Sequence, residues 1–300
     1  MNDDERPLDG LTVLVPRAKE QAGTLSELLR QRGAQPLEVP AIEIRSVSST
    51  AELDRAVALL ARGFYDWVVL TSVNGVAAVR ARVEAAGRDA HALGTGGAGA
   101  GAGGSGGMVP RPEGPGADPT VAAGPPDGSG LRRTRVAAVG PATEKALAAW
   151  GLQPDLVPPV ATTADLGSVF PPGPGEVLLT RADIANPELR EALLAKGWRT
   201  DEVVAYHTVP LDRMDGEARR RLDAGEVDWV AFTAPSTITG FVRAYGGPPP
   251  SDVGIAAIGP VTAAAADAAG MRVAVTATEH TIPGLVAAIE RSANRRPGPD

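Results

Sequence analysis

Hydroxyl-bearing turns follow short apolar runs at several places in this chain of 300 residues, and their side chains could bind an anion. Each turn leads into a stretch of helical pattern, so backbone N–H groups at a helix N-terminus would lie beside the hydroxyls. Such a place favours carboxylate, phosphate or carbonyl oxygens. Helix capping is the alternative role, because Ser, Thr and Asn are preferred N-cap residues. The candidates are Thr71, Ser72, Asn74, Thr143, Thr233, Ser236, Thr262 and Thr281.

Two arginines stand in equivalent turns, Arg17 after Val13-Leu14-Val15-Pro16 and Arg181 after Val177-Leu178-Leu179-Thr180. A guanidinium can grip a carboxylate through two parallel hydrogen bonds, so both are candidate substrate ligands. A surface charge or a local ion pair is the alternative for each. Tyr206 lies in a predicted strand, where residue type alone favours a packing role.

The patterns of several other chemistries are missing. No Gly-x-Gly-x-x-Gly follows a strand, and there is no P-loop and no Gly-x-Ser-x-Gly nucleophile elbow. The three histidines, His91, His207 and His280, lack the spacing of metal ligands. We therefore predict that the protein uses no metal and no cofactor.

The overall composition limits the partners and the compartment. The formal net charge of −7 argues against a nucleic-acid partner, which needs a basic face. The chain has no cysteine, which fits a reducing compartment. No apolar run approaches the roughly 20 residues of a membrane span, and the N-terminus has no apolar signal region. We expect a cytoplasmic monomer that acts on a small molecule and has no membrane or nucleic-acid partner.

Three short phrases occur twice in the same order. They are Val-Leu-Val-Pro-Arg at 13–17 with Val-Leu-Leu-Thr-Arg at 177–181, the Asp-Trp-Val runs at 66 and 228, and the Val-Gly-Pro and Ile-Gly-Pro runs at 139 and 258. The offsets between the copies are 164, 162 and 119 residues (177 − 13, 228 − 66, 258 − 139). Each phrase is a β-branched run, a turn and a helical stretch. The chain therefore carries two sets of βα units.

The periodicity also predicts the individual elements. Predicted strands cover 11–15, 36–44, 67–70, 136–139, 156–158, 176–179, 203–209, 229–232, 255–258 and 272–275. Predicted helices cover 21–31, 51–61, 76–86, 144–150, 187–196, 216–224, 263–269 and 283–292, with one that starts near 162 and one before 248. Residues 94–130 are rich in Gly and Pro and lack periodicity, so we predict a disordered insert without chemistry.

Repeated βα units predict an α/β fold with flavodoxin-like parallel sheets, covered by helices and arranged as two similar lobes. Ligands of such sheets bind beyond the carboxyl ends of the strands, where all of the candidate turns lie. If the lobes face each other, these turns line one shared cleft.

The ordered set of motifs resembles the uroporphyrinogen-III synthase family over about residues 10 to 291, apart from the insert. The motifs are Val-Leu-Val-Pro-Arg, Asp-Trp-Val-Val-Leu-Thr-Ser-Val-Asn-Gly, Val-Gly-Pro-Ala-Thr, Ala-Tyr-His-Thr, Phe-Thr-Ala-Pro-Ser and Ile-Gly-Pro-Val-Thr. The resemblance implies a discontinuous lobe of residues 1–43 and 209–300, a second lobe of 44–208, and a two-stranded hinge near Ile42 and Tyr206.

The resemblance also implies an activity. The family closes hydroxymethylbilane, a linear tetrapyrrole with eight carboxylates, into uroporphyrinogen III, inverts ring D and releases water without a cofactor. Tyr206 matches the tyrosine that assists departure of the substrate hydroxyl. The candidate turns match the family's cleft, and Ala234, where some relatives carry Ser, could contribute only its backbone. A two-lobed binding or regulatory protein for a small anionic ligand is the alternative function.

Overall fold

A computed structural model describes residues 6–90 and 133–294. These ranges contain ten strands: β1 Thr12–Val15, β2 Gln35–Glu38, β3 Ile42–Ser46, β4 Trp67–Leu70, β5 Arg135–Ala138, β6 Gly175–Ala182, β7 Trp198–Pro210, β8 Trp229–Phe232, β9 Gly254–Ala257 and β10 Val273–Thr276. The predicted insert at 94–130 lies outside the described residues.

The same ranges contain ten helices: α1 Lys19–Gln31, α2 Ala51–Leu60, α3 Val73–Ala85, α4 Pro141–Ala149, α5 Thr163–Val169, α6 Glu188–Ala195, α7 Gly216–Asp223, α8 Pro235–Tyr245, α9 Pro260–Ala268 and α10 Ile282–Ala293. Every helix within 6–90 and 133–294 is too short or too polar to span a bilayer.

The chain divides into two compact units, and unit 1 is discontinuous. Unit 1 comprises Met1–Arg45 and Thr208–Asp300, and unit 2 comprises Ser46–His207. The boundaries fall inside β3 and β7, which are neighbours at one edge of a sheet. The boundaries that the family resemblance implies are after residue 43 and after residue 208.

Each unit is built on a parallel sheet. The first sheet has the strand order β10-β9-β8-β1-β2, and the second has the order β3-β7-β6-β4-β5. The pairings of β1 with β2 and β8, and of β9 with β8 and β10, are parallel, as are those of β6 with β4 and β7 and of β4 with β5. The predicted α/β class with parallel sheets is confirmed.

The sequence repeats occupy matching strands in the two sheets. Val13 pairs with Trp229 in the first sheet, and Val177 pairs with Trp67 in the second. The repeat offsets of 164 and 162 residues therefore reappear as the same register between neighbouring strands. Each sheet combines the first phrase of one copy with the second and third phrases of the other.

Both faces of the central strands β1, β4, β8 and β9 are buried, which explains why these strands are largely apolar. In β4, Val68 and Leu70 pack on one face with α2, α3 and α4, while Trp67 and Val69 pack on the other with α5 and α6. In the first sheet, β8 alternates in the same way between the cluster with α7, α8 and α9 and the cluster with α1 and α10. Strands that are buried on both faces lack the polar alternation of a half-exposed sheet.

Two predicted strands are wrong. At 156–158, only Leu156 forms an isolated bridge, with Ala137. The other error is the strand at 36–44. The chain instead forms β2 and β3, which belong to different sheets, with Val39, Pro40 and Ala41 between them. Proline has no N–H to donate to a strand ladder. Val39 and Ala41 are buried with the unit 1 core rather than paired in a strand.

Four helices begin earlier than predicted, inside segments that we interpreted as turns. α3 starts at Val73, and α4, α8 and α9 start at Pro141, Pro235 and Pro260. Proline is favoured in the first helical turn, because its missing N–H has no intrahelical acceptor there in any case. Asn74, Ser236 and Thr262 therefore lie in first helical turns.

Candidate active site

Ser72 and Tyr206 form a direct contact at the carboxyl end of the unit 2 sheet. Ser72 is the N-cap of α3 in extended conformation (φ −155°, ψ 160°), and its Oγ accepts a hydrogen bond from the Gly75 backbone N–H at 3.0 Å. The same Oγ lies 2.9 Å from the Tyr206 hydroxyl, and either oxygen can be the donor. The predicted site residues Ser72 and Tyr206 are thus brought together from positions 134 residues apart.

The phenol of Tyr206 stays protonated at neutral pH. The residue is 8% exposed, and burial is the main reason why its pKa lies above the ordinary value of about 10. Hydrogen bonds from Ser72 and Asn74 act in the opposite direction and lower the pKa, while the negative charge of Asp183 raises it. Tyr206 is therefore a protonated hydroxyl whose oxygen can receive two hydrogen bonds.

The hydroxyls of Thr71 and Thr180 connect the carboxyl ends of β4 and β6, next in the chain to Ser72. The Thr71 hydroxyl donates to the Thr180 carbonyl at 3.4 Å, and the buried Thr180 hydroxyl donates to the Val69 carbonyl at 3.2 Å. These bonds connect β4 to β6 at the end where α3 begins. The predicted substrate ligand Thr71 is half-buried, and its hydroxyl also has this internal acceptor.

Asp183 and His207 form a pair beside Tyr206 that we did not predict. His207 Nδ1 lies 2.9 Å from Asp183 Oδ2, and the Asp183 backbone N–H donates to the Tyr206 carbonyl at 3.2 Å. The only sequence signal was the position of Asp183 directly after the end of β6. Since β6 and β7 are neighbours in the sheet, their carboxyl ends bring the two residues together.

The two predicted arginines differ in their partners. Arg181 Nε lies 2.7 Å from Glu202 Oε1, a charge contact rather than an aligned hydrogen bond, and Arg181 Nη1 donates to the Ala185 carbonyl at 2.7 Å. Arg17 donates to the Gln21 side chain at 3.5 Å. Among the side chains that the structure describes, no carboxylate pairs with Arg17, and burial lowers the pKa of its guanidinium. Arg17 therefore has more of its hydrogen-bonding capacity available.

The helix N-termini of unit 1 are less uniform than their residue types suggested. Ala234 caps α8 without a side-chain hydrogen bond, and the Thr237 backbone N–H donates to the Ala234 carbonyl at 3.1 Å. Thr281 caps α10, and its Oγ1 accepts from the Gly284 N–H at 3.1 Å. Thr233 and Ser236 are half-buried on either side of the Ala234 cap.

Thr143 and Thr262 occupy equivalent first turns, in α4 and α9. They are 4% and 3% exposed, so their hydroxyls point inward, while the backbone N–H groups of those first turns lack intrahelical acceptors. The caps are Gly140 and Gly259, and a Cβ at Gly259 would lie 3.1 Å from the His280 ring. His280 is thus a second unpredicted neighbour of a helix N-terminus, and it directly precedes the predicted residue Thr281.

Within residues 6–90 and 133–294, no group of three or more His, Asp or Glu side chains could hold a metal ion. The absence of a cofactor stays a prediction, as do the roles of the individual substrate ligands.

The chain matches known proteins over most of its length. A family model described as "Uroporphyrinogen-III synthase HemD" matches residues 23–97 and 120–287. A uroporphyrinogen-III synthase of Synechococcus elongatus is 30% identical, and the match covers 97% of this chain and 98% of that protein. A porphyrin biosynthesis protein HemD of Ruminiclostridium josui is 28% identical over 94% of this chain, which spans only 48% of that longer protein.

Solved structures share the fold. A crystal structure of a mutant uroporphyrinogen III synthase from the extreme thermophile Thermus thermophilus aligns with a TM-score of 0.61 at 21% identity, covering 95% of this chain and 100% of that one. A uroporphyrinogen-III synthetase from Helicobacter pylori aligns with a TM-score of 0.52 at 11% identity, covering 92% and 97%. The family model and the Synechococcus relative confirm the predicted family: the chain belongs to the uroporphyrinogen-III synthase family.

Proposed function

We propose that this chain cyclises hydroxymethylbilane to uroporphyrinogen III, with inversion of ring D and loss of water, in haem biosynthesis. The observation that carries the proposal is the buried, protonated phenol of Tyr206, held by Ser72 and Asn74 at the carboxyl end of a parallel sheet. Membership in the family supplies the substrate class. The reaction needs a proton donor for the departing hydroxyl, and Tyr206 has the chemistry of one.

The first chemical step breaks the bond between the terminal methylene carbon and its hydroxyl oxygen. The pyrrole nitrogen supplies the electron pair that stabilises the carbon, and the oxygen leaves as water with a proton delivered through Tyr206. A phenol with a pKa above 10 is a weak acid, so its contribution is a hydrogen bond that strengthens as charge develops on the leaving oxygen. The remaining catalysis is positioning of a flexible chain for ring closure.

The eight carboxylates of the proposed substrate need many donors, and the protein has a net charge of −7. Backbone N–H groups in the first turns of helices suit carboxylates without adding net charge. Of the two arginines, Arg17 is the stronger candidate because Arg181 already contacts Glu202. The proposed substrate-binding residues are Arg17, Thr71, Asn74, Thr143, Arg181, Thr233, Ala234, Ser236, Thr262 and Thr281, where Thr143, Ala234 and Thr262 act through their backbone.

The proposal extends to the state and compartment of the enzyme. One chain carries both sets of βα units, so we propose a monomer. The lack of cysteine fits the reducing cytoplasm, where we propose that it acts. Light scattering coupled to gel filtration tests the first point, since a mass of twice 30.6 kDa would contradict it.

The test of the function is an isomer assay. Purified full-length protein is incubated with freshly prepared hydroxymethylbilane, and the products are oxidised and separated. We expect the type III isomer at a rate proportional to protein concentration. Type I isomer alone, at the rate without protein, would overturn the proposal. Stoichiometric binding of the tetrapyrrole by calorimetry without product would instead identify a binding protein.

A further inference from the structure

We propose that Ser72 is a positioning residue for Tyr206 and does not bind the substrate with its own hydroxyl. This inference rests on the proposed function, in which Tyr206 assists departure of the substrate hydroxyl. It assigns Ser72 a different role from the one that its residue type suggested, which was a direct ligand of a carboxylate.

The hydrogen bonds of the Ser72 hydroxyl support this role. A serine hydroxyl has one proton to donate and two lone pairs that accept. One lone pair accepts from the Gly75 N–H at 3.0 Å. When Ser72 donates its proton to the Tyr206 oxygen at 2.9 Å, the Tyr206 proton is released for the substrate. The Ser72 hydroxyl then has no proton left for a carboxylate.

The other half of the molecule provides an internal comparison. The 162-residue offset matches Ser72 with Ala234, which caps α8 in nearly the same conformation (φ −164°, ψ 155°) without a side-chain hydrogen bond. The 164-residue offset relates the pairing of Val15 with Glu38 to that of Leu179 with Glu202. The match ends there, because β2 ends at Glu38 and the next strand, β3, belongs to the other sheet.

The comparison separates the role of the serine from that of the helix cap. In unit 1, the serine is replaced by Ala234, and the helix still begins at the matching residue. A hydroxyl is therefore not required for the strand–helix connection itself. Its presence in unit 2 coincides with the phenol that it contacts.

The test is a double-mutant cycle of Ser72→Gly and Tyr206→Phe. Glycine removes the hydroxyl but is tolerated as an N-cap with little loss of stability. We expect Ser72→Gly to lower kcat by about three- to tenfold with little change in KM, as the loss of one hydrogen bond to Tyr206 would do. On the Tyr206→Phe background, Ser72→Gly should have no further effect.

Two further variants complete the cycle. Ser72→Thr keeps the hydroxyl and should retain most of the activity. Thr162→Ala is the matched capping control, because Thr162 accepts from the Asp165 N–H at 3.0 Å, as Ser72 does from Gly75. An equal loss from Ser72→Gly with and without the Tyr206 hydroxyl would overturn the proposal in favour of direct substrate binding. An unchanged kcat in Ser72→Gly would overturn it as well.

A second readout does not depend on activity. The protein has three tyrosines, so 3-fluorotyrosine labelling gives three ¹⁹F signals, and Tyr206→Phe identifies one of them. Ser72→Gly should raise the pKa of the Tyr206 signal because a hydrogen bond that stabilises the phenolate is lost, while Thr162→Ala should leave it unchanged. An unaltered Tyr206 pKa in Ser72→Gly would contradict the contact. If the wild-type protein forms no type III isomer, the proposed function fails while this measurement still decides the contact.

Discussion

The two units share a strand order and a register but differ at the carboxyl ends of their sheets. In unit 2, Ser72 contacts a buried tyrosine at 2.9 Å. In unit 1, the position that matches Ser72 holds Ala234, whose side chain can neither donate nor accept a hydrogen bond. The same scaffold therefore carries the contact between a serine and a phenol in one copy and lacks the serine in the other.

The two arginines also differ between the units, and here it is unit 1 that has the more available group. Arg181 of unit 2 contacts Glu202, whereas the matching glutamate of unit 1, Glu38, lies 3.4 Å from Arg30 and leaves Arg17 without a described carboxylate partner. The comparison teaches that the repeated sequence determines the strand order and register, while differences at single positions give the two units different functional groups. We propose that unit 2 provides the proton donor and unit 1 provides the available cation.

The largest expected effect is on unit 2. Tyr206→Phe should lower kcat by about 100-fold, because general acid assistance contributes on the order of 10² or more. The fold should remain, since the ring is kept and only one hydroxyl is lost. Circular dichroism and steady-state kinetics check both points.

Tyr245→Phe in unit 1 is the matched control for this prediction. The Tyr245 hydroxyl donates to Asp223 at 2.6 Å at the protein surface. Its removal should change kcat by less than about twofold. An equal loss of kcat in Tyr206→Phe and Tyr245→Phe would contradict the assignment of the proton donor to unit 2.

A smaller effect is expected from the arginines. Arg17→Gln should raise KM about tenfold with little change in kcat, because a charge-assisted hydrogen bond to a carboxylate is worth about 1.5 to 3 kcal/mol. Arg181→Gln should raise KM less. It should lower the free energy of unfolding by about 1 kcal/mol, because it leaves the half-buried Glu202 without its cation.

Kinetics and urea unfolding of the two arginine variants separate these roles. A larger rise in KM for Arg181→Gln than for Arg17→Gln would reverse the comparison between the units.

The sequence predicted the central strands of the sheets well because these strands are buried on both faces. Runs such as Val68-Val69-Leu70 have no polar alternation, and the repeat offsets fixed which strands correspond. The error at 36–44 arose because two short strands are separated by only three residues, and sheet membership depends on distant partners. The start of α3 at Val73 was missed because a capping serine three residues before a glycine also fits a turn.

The candidate site was only partly predictable. Residue type and family motif identified Ser72, Asn74 and Tyr206 as candidate site residues. They did not predict the contact between Ser72 and Tyr206, which are 134 positions apart. The pair of Asp183 and His207 depends on two strand ends that meet only in the folded sheet. Periodicity reports which face a residue lies on, and it contains no information about such neighbours.

The pH dependence of the ratio of kcat for wild type to kcat for Tyr206→Phe tests the central claim most directly. A donor is active below its pKa and is lost as the pH rises through it, and burial places the Tyr206 pKa above 10. We therefore predict a constant ratio of about 100 from pH 6 to 9 and a fall only above pH 10. A ratio near 1 throughout, or one that falls with a midpoint near pH 7, would contradict a protonated Tyr206 as the proton donor.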